Sequence, residues 1–232
     1  MQGMTMEHRS REQVLAEAFP FWKKLNEQQQ RELADSSWFH TYQKGAVMHE
    51  GRADCPGLFV LLSGRVKTYM ITDEGKEITL FRLLERDICL LSASCMFKNI
   101  NFEVFIQAEE ETEVLIVPVK VYNEMSKRLV CIADFTNELL SSRFSDVMWV
   151  MEQVLFMSFD RRLALFLLEE ANYEQSDSLH ITHEEIARHM GTAREVVSRM
   201  LRYFSGEGLV MVSRGEIRLL DRERLQSVAA SA

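Results

Sequence analysis

From residue 121 to residue 157 the chain contains neither glycine nor proline. Within that run Ile132, Phe135, Leu139, Leu140, Phe144, Val147, Met148, Met151, Val154 and Leu155 recur at spacings of three and four. That period describes one face of a helix. A helix so long and so apolar on one side is not stable alone in water. It must pack on the rest of the chain, on a copy of itself, or on both. Where it meets a copy of itself, Phe144, Val147, Met151, Val154 and Leu155 are the expected seam.

The length of 232 residues admits one large domain or two modest ones. A hydrophobic content of 47% with 27% charged residues suits a soluble globular protein. Three prolines and ten glycines leave no long disordered linker. The apolar runs, such as residues 58–62, have the length of a buried strand and are too short to span a bilayer. Residues 1–12 lack the apolar core of a signal peptide. A cytoplasmic location is expected, and with it reduced thiols at Cys55, Cys89, Cys95 and Cys131.

Residues 11–36 mix apolar and charged residues at helical spacing, broken at Pro20, which predicts two short helices. From Trp38 the pattern changes to short runs rich in Val, Leu, Phe and Tyr. Turn signals interrupt them at Gly45, Gly51, Ser63-Gly64 and Asp73-Glu74-Gly75. Short strands with regular turns predict a small antiparallel barrel or roll, ending near Val117 where Pro118 follows. Ser158-Phe159-Asp160 predicts a break and a new helix over residues 161–171. The domain reading is therefore a roll with N-terminal helices over 1–120, the long helix over 121–157 and a C-terminal domain over 158–232. The fold class is α+β.

The most informative stretch is ITHEEIARHMGTAREVVSRMLRYFSGEGLVMVSRGEIRLLD, residues 181–221. Thr182 with Glu185 forms a capping box, and Gly191 closes the first short helix. The next helix runs from Thr192 to about Phe204, with Ala193, Val196, Val197, Met200, Leu201 and Phe204 as its apolar stripe. Arg194, Glu195, Ser198, Arg199 and Arg202 occupy the other face. A hairpin turning at Arg214-Gly215 completes a winged helix-turn-helix. Arginine can bond a guanine edge through two parallel donors, and glutamate can accept from a cytosine amine. A solvated surface helix would carry similar charges but would not need the turn, the box and the wing. The net charge of −8 does not oppose nucleic-acid binding, because residues 186–224 hold eight arginines against five carboxylates. The candidate DNA contacts are Arg194, Glu195, Ser198, Arg199 and Arg202, with Thr192 and His183 beside them.

The sequence resembles the CRP/FNR regulators along nearly its whole length. LFVLLSGRVKTYMITDEGKEITLFRLLERD looks like the family's β-roll, of the cyclic-nucleotide-binding type, and residues 181–210 resemble its winged helix-turn-helix. The Arg194-Glu195-x-x-Ser198-Arg199 pattern is the specific part. The resemblance implies that these residues read bases and hold backbone phosphate on double-stranded DNA. It also implies that residues 121–157 form the homodimer helix, and that an activator of this type works with RNA polymerase.

The resemblance also locates an effector pocket. Cyclic-nucleotide-binding members carry Gly-Asp, then Gly-Glu and Arg-Ser pairs, and these positions fall here on Arg86-Asp87, Leu90-Leu91 and near Phe102-Glu103. The base-facing positions of the long helix fall near Val147 and Met148. A cyclic phosphate would meet apolar walls and a carboxylate, at a cost of several kcal/mol. The candidate pocket of Cys89, Leu90, Leu91, Phe102, Val147 and Met148 is thus expected to refuse cAMP, and no cofactor is expected. Cys89 and Cys95, close in sequence, are the candidate redox pair. The oxygen-sensing branch of the family holds an iron–sulfur centre on N-terminal cysteines, but no cysteine precedes Cys55 and no C-x2-C occurs. No His-Glu-x-x-His occurs either, so no metal site is assigned. The alternative of a cupin-like metalloenzyme would have to rest on His40 and His49-Glu50, whose spacing does not suit it; an enzyme is not expected.

Overall fold

Eight strands between Trp38 and Val117 make two antiparallel sheets in the computed structural model, which describes residues 9–51, 55–96 and 102–231. Two helices precede them, α1 (Arg11–Ala18) and α2 (Glu27–Ser36), each opened by a capping box, at Ser10/Gln13 and at Asn26/Gln29. The strands are β1 (Trp38–Tyr42), β2 (Val47–Glu50), β3 (Leu58–Ser63), β4 (Val66–Ile71), β5 (Glu77–Leu83), β6 (Ile88–Cys89), β7 (Phe105–Ala108) and β8 (Thr112–Val117). One sheet has the order β1-β8-β3-β6 and the other β2-β7-β4-β5. The roll predicted from the turn signals is present, and it ends at Val117 as Pro118 required.

By contact density the chain divides into two units, one of residues up to Met70 with Leu80–Asp146, the other of Ile71–Thr79 with residues from Val147 onward. In the first unit Leu15, Phe19, Leu33, Leu58, Leu90 and Leu115 are fully buried in one core. Tyr122 and Ile132, from the helices that follow the roll, enter the same core.

The uninterrupted helix expected over 121–157 is two helices, α3 (Val119–Arg128) and α4 (Val130–Phe156). Leu129 between them has extended backbone, φ −120° and ψ 108°. Nothing in the sequence marks the bend, since Leu129 favours helix as much as its neighbours do. Tertiary packing decides it: Leu129 and Cys131 pack on the core, and Tyr122 of α3 donates its hydroxyl to Thr136 of α4 at 2.9 Å. Thr136 in turn donates to the carbonyl of Ile132 at 2.7 Å. Burial pushes the Tyr122 pKa up to about 12, so it remains a donor.

The two halves of α4 differ. Ile132 and Thr136 are buried, and Phe135, Leu139 and Leu140 pack on the core. Beyond them Phe144, Met148, Met151 and Leu155 stay 41–66% exposed. At 100° per residue these four fall within about 60° of arc.

In the second unit α5 (Phe159–Tyr173), which starts after Ser158, leads to β9 (Ser178–Leu179), α6 (His183–His189), α7 (Arg194–Gly206), β10 (Val210–Ser213), β11 (Glu216–Leu219) and α8 (Arg222–Ala230). Its separate core holds Leu163, Leu167, Ile186, Val197, Leu201, Phe204 and Ile217.

Candidate nucleic-acid interface

Thr182 and Glu185 build the predicted box: Thr182 Oγ1 accepts from the Glu185 amide at 3.2 Å, and the Glu185 carboxylate accepts from the Thr182 amide at 2.7 Å. The helix ends at His189, and Gly191 takes φ +63°, a left-handed conformation that only glycine adopts without cost. Arg162 of α5 donates to the Met190 carbonyl at 2.7 Å and holds this turn, although burial lowers its pKa from the usual arginine value. After Thr192 and Ala193 the chain enters α7. Ile186 and Ala187 of α6 meet Val197, Leu201 and Phe204 of α7 in the core, which fixes the pair.

That packing settles which face of α7 is outside. Arg194, Glu195, Arg199 and Arg202 are exposed and Ser198 is half-buried. At 100° per residue all five lie within about 140° of arc, opposite the buried stripe. Thr192 is half-buried in the turn before them. The wing is the β10–β11 hairpin, with Val210 paired to Leu219 and Gly215 at φ +78° in its turn. A cleft of about 420 Å³ lies between wing and helix, lined by Thr182, His183, Glu184, Arg194, Arg214 and Gly215.

His183 does more than the sequence indicates. Its Nδ1 lies 2.9 Å from Ser198 Oγ, so the half-buried ring ties α6 to α7 in the middle of that outward face. Burial lowers its pKa below the ordinary 6.5, and the Arg194 guanidinium lowers it further. The chemistry of the whole face is that of a DNA reader. Exposed guanidiniums and a carboxylate suit base edges, and a cleft flanked by two arginines suits a backbone phosphate.

Comparison with known proteins agrees. Residues 39–128 match the cyclic nucleotide-binding domain family, and residues 161–228 match the Crp-like helix-turn-helix domain family. The chain is 31% identical to the transcriptional activator protein Anr of Pseudomonas aeruginosa over 195 residues, which is 81% of this chain and 78% of that one. The chain belongs to the CRP/FNR family of transcription regulators. A solved structure of a Crp/Fnr-family regulator from Eubacterium rectale is 48% identical, superposes with a TM-score of 0.91, and is matched over 92% of this chain and 99% of its own. The protein described as cyclic AMP receptor protein of Thermus thermophilus is 26% identical over 172 residues, 74% of this chain and 79% of that one. The protein is thus a DNA-binding regulator, with the α+β architecture of β-roll, helices and helix-turn-helix. None of the described helices is long and apolar enough to cross a membrane.

The effector positions fare differently. Cys89, Leu90 and Leu91 are buried, and Leu90 is part of the core that α3 and α4 join. Phe102 is exposed, Val147 half-buried and Met148 exposed. Arg86, where the family pattern has glycine, takes φ +75°, held by a hydrogen bond from its amide to the Leu61 carbonyl at 2.9 Å. The sequence reading missed the half-buried charges on the roll and α4. Arg65 and Arg82 converge on Glu109 at 3.0 and 2.8 Å. Arg143 of α4 lies 5.0 Å over the Phe81 ring and bonds Asp146 at 2.8 Å. Isolated arginines in strand-like runs carry no sequence signal of such pairing.

The redox pairing of Cys89 with Cys95 is corrected, as is the expectation that every thiol is reduced. Cys95 is bonded to Cys55, with Cα atoms 6.3 Å apart. Cys89 is a free, buried thiol whose pKa is raised by desolvation. Closeness in sequence misled: Cys89 sits buried in β6, whereas the segment Leu91–Met96, two 3-10 turns kinked at Ala93, carries Cys95 to an exposed position.

Proposed function

We propose that this regulator works as a homodimer that reads a two-fold symmetric DNA site with TGA-like half-sites, under control of an effector other than cAMP. The exposed Glu195, Arg199 and Arg202, with half-buried Ser198 among them and the cleft between Arg194 and Arg214 beside them, carry the reading. Glu195 and Arg199 read the G·C pair of each half-site, Arg194 contacts backbone phosphate or an adjacent guanine, and Arg202 contacts backbone phosphate. Of the expected seam, Phe144, Met151, Val154 and Leu155 are exposed and Val147 is half-buried, and with exposed Met148 beside them they support the dimer, because so many large apolar side chains on one helix call for a partner. Two recognition helices about 34 Å apart then meet half-sites one helical turn apart.

Leu90 and Leu91, apolar and buried where cyclic-nucleotide binders place polar anchors, support an effector that is a different small molecule or a redox signal. Where the regulator activates, RNA polymerase is its partner, and its workplace is the cytoplasm, where the DNA is.

A randomised-site selection at two salt concentrations tests the reading. Arg199→Ala should cost about 1–3 kcal/mol per half-site and relax preference at one base pair. Arg202→Ala should weaken all sequences alike and flatten the salt dependence. An Arg199→Ala protein that keeps the wild-type base preference would overturn the assignment of the reading face.

A further inference from the structure

Of the four cysteines, two are placed for exchange and two are not. Cys89 is fully buried, and desolvation holds its thiol protonated. Cys131 is half-buried and packs on the core. The Cys55–Cys95 bond, in contrast, has one exposed member, Cys95, and one half-buried member, Cys55. Attack on a disulfide needs access to one sulfur, and exposed disulfides are the labile ones.

The position of the bond gives it a consequence. Cys95 lies in the segment Leu91–Met96, two short 3-10 turns kinked at Ala93, and the bond ties that segment across 40 residues of sequence to the connection before β3. On its inner side the same segment carries Ala93, which is fully buried, and Met96, and both pack in the core that holds Tyr122, Met125 and Ile132. The segment therefore forms part of the seat for α3 and for the first half of α4.

We propose that Cys55 and Cys95 form a reversible dithiol–disulfide site, opened by a dithiol reductant, whose state sets the order of the α3–α4 seat and through it DNA affinity. The last clause rests on the function proposed above. In the reducing step a thiolate of the reductant attacks Cys95 Sγ, and the electron pair of the broken S–S bond leaves on Cys55 Sγ, which takes a proton. The second thiol of the reductant then attacks its own sulfur in the mixed disulfide and releases Cys95, which is protonated in turn. Two electrons and two protons enter the protein, and the reductant leaves as a disulfide. A low-molecular-weight disulfide such as glutathione disulfide runs the reverse. The bonded form, with the seat pinned, is the form that binds DNA more tightly.

The test compares the wild type with itself, oxidised with glutathione disulfide or reduced with dithiothreitol, and needs no variant to fold. Alkylation and mass spectrometry should find Cys55 and Cys95 blocked when oxidised and both labelled when reduced. Amide exchange over residues 91–96 and 119–140 should be faster in the reduced form. Affinity for the selected DNA site should fall about tenfold on reduction and recover on reoxidation. Cys55→Ser and Cys95→Ser should behave like the reduced wild type under both treatments, and Cys131→Ser should still respond. Labelling of both cysteines after oxidation, or equal exchange in the two states, would overturn the proposal, as would equal DNA affinity with DNA bound. If exchange responds but neither state binds DNA, the site stands and the reading of the protein as a regulator through its DNA affinity fails.

Discussion

Replacing Met151 and Leu155 together by aspartate should break the proposed dimer. In the single chain these side chains remain 50% and 58% exposed. Burying the exposed half of a Met or Leu contributes about 1 kcal/mol, so two such residues on each of two chains contribute about 4 kcal/mol. That corresponds to about a thousandfold in the dissociation constant. Four carboxylates forced into the seam add repulsion, so the figure is a lower bound. Sedimentation velocity at micromolar concentration should find dimers of the wild type and monomers of the double variant. The internal comparison uses the same helix: Trp149 and Phe156 are also exposed, at 43% and 77%, but project about 120–140° away from the stripe. Trp149→Asp and Phe156→Asp should therefore leave the dimer intact. If the double variant still sediments as a dimer, or if the two off-stripe variants dissociate instead, the seam is wrongly placed.

Isothermal calorimetry with cAMP should give no binding heat, since Leu90 and Leu91 offer the phosphate and ribose no polar partner; a micromolar dissociation constant would mean that the pocket is wrongly aligned. DNA affinity should depend on pH through His183. In the free protein burial and Arg194 hold its pKa below 6.5, and a phosphate entering the cleft among Arg194, Arg214 and Glu184 favours the imidazolium. The bound-state pKa is then the higher one, so DNA binding takes up a proton. Affinity should rise as pH falls between the bound and free pKa values and stay flat above them. His183→Gln should remove that slope, and an unchanged slope would place the titration elsewhere. Thr136→Val should destabilise the first unit by about 1–3 kcal/mol, because the buried Tyr122 hydroxyl loses its acceptor, whereas Tyr122→Phe should cost less. Equal costs in urea unfolding would show that the hydroxyl finds another partner.

Much of this protein was legible without coordinates because its signals are local. The Thr182/Glu185 box, the left-handed Gly191, the turn at Gly215 and the stripe Val197, Leu201, Phe204 are each decided within a few residues. Local sterics and hydrogen bonding therefore act the same way in the sequence as in the fold. The outward face of α7 follows by subtraction, since the buried stripe leaves Arg194, Glu195, Arg199 and Arg202 outside. Other features depend on residues far apart in the chain. The bend at Leu129 exists because α3 and α4 seat on one core and share the Tyr122–Thr136 bond, and helix propensity does not record that. His183 and Ser198, fifteen residues apart, meet only because α6 packs on α7. The cysteines make the difference plain. Only five residues lie between Cys89 and Cys95, yet the strand buries one while the kinked segment Leu91–Met96 turns the other outward to Cys55, forty positions away. Sequence distance sets which groups share a helical turn. Which groups can touch across the molecule is set by the packing of the roll.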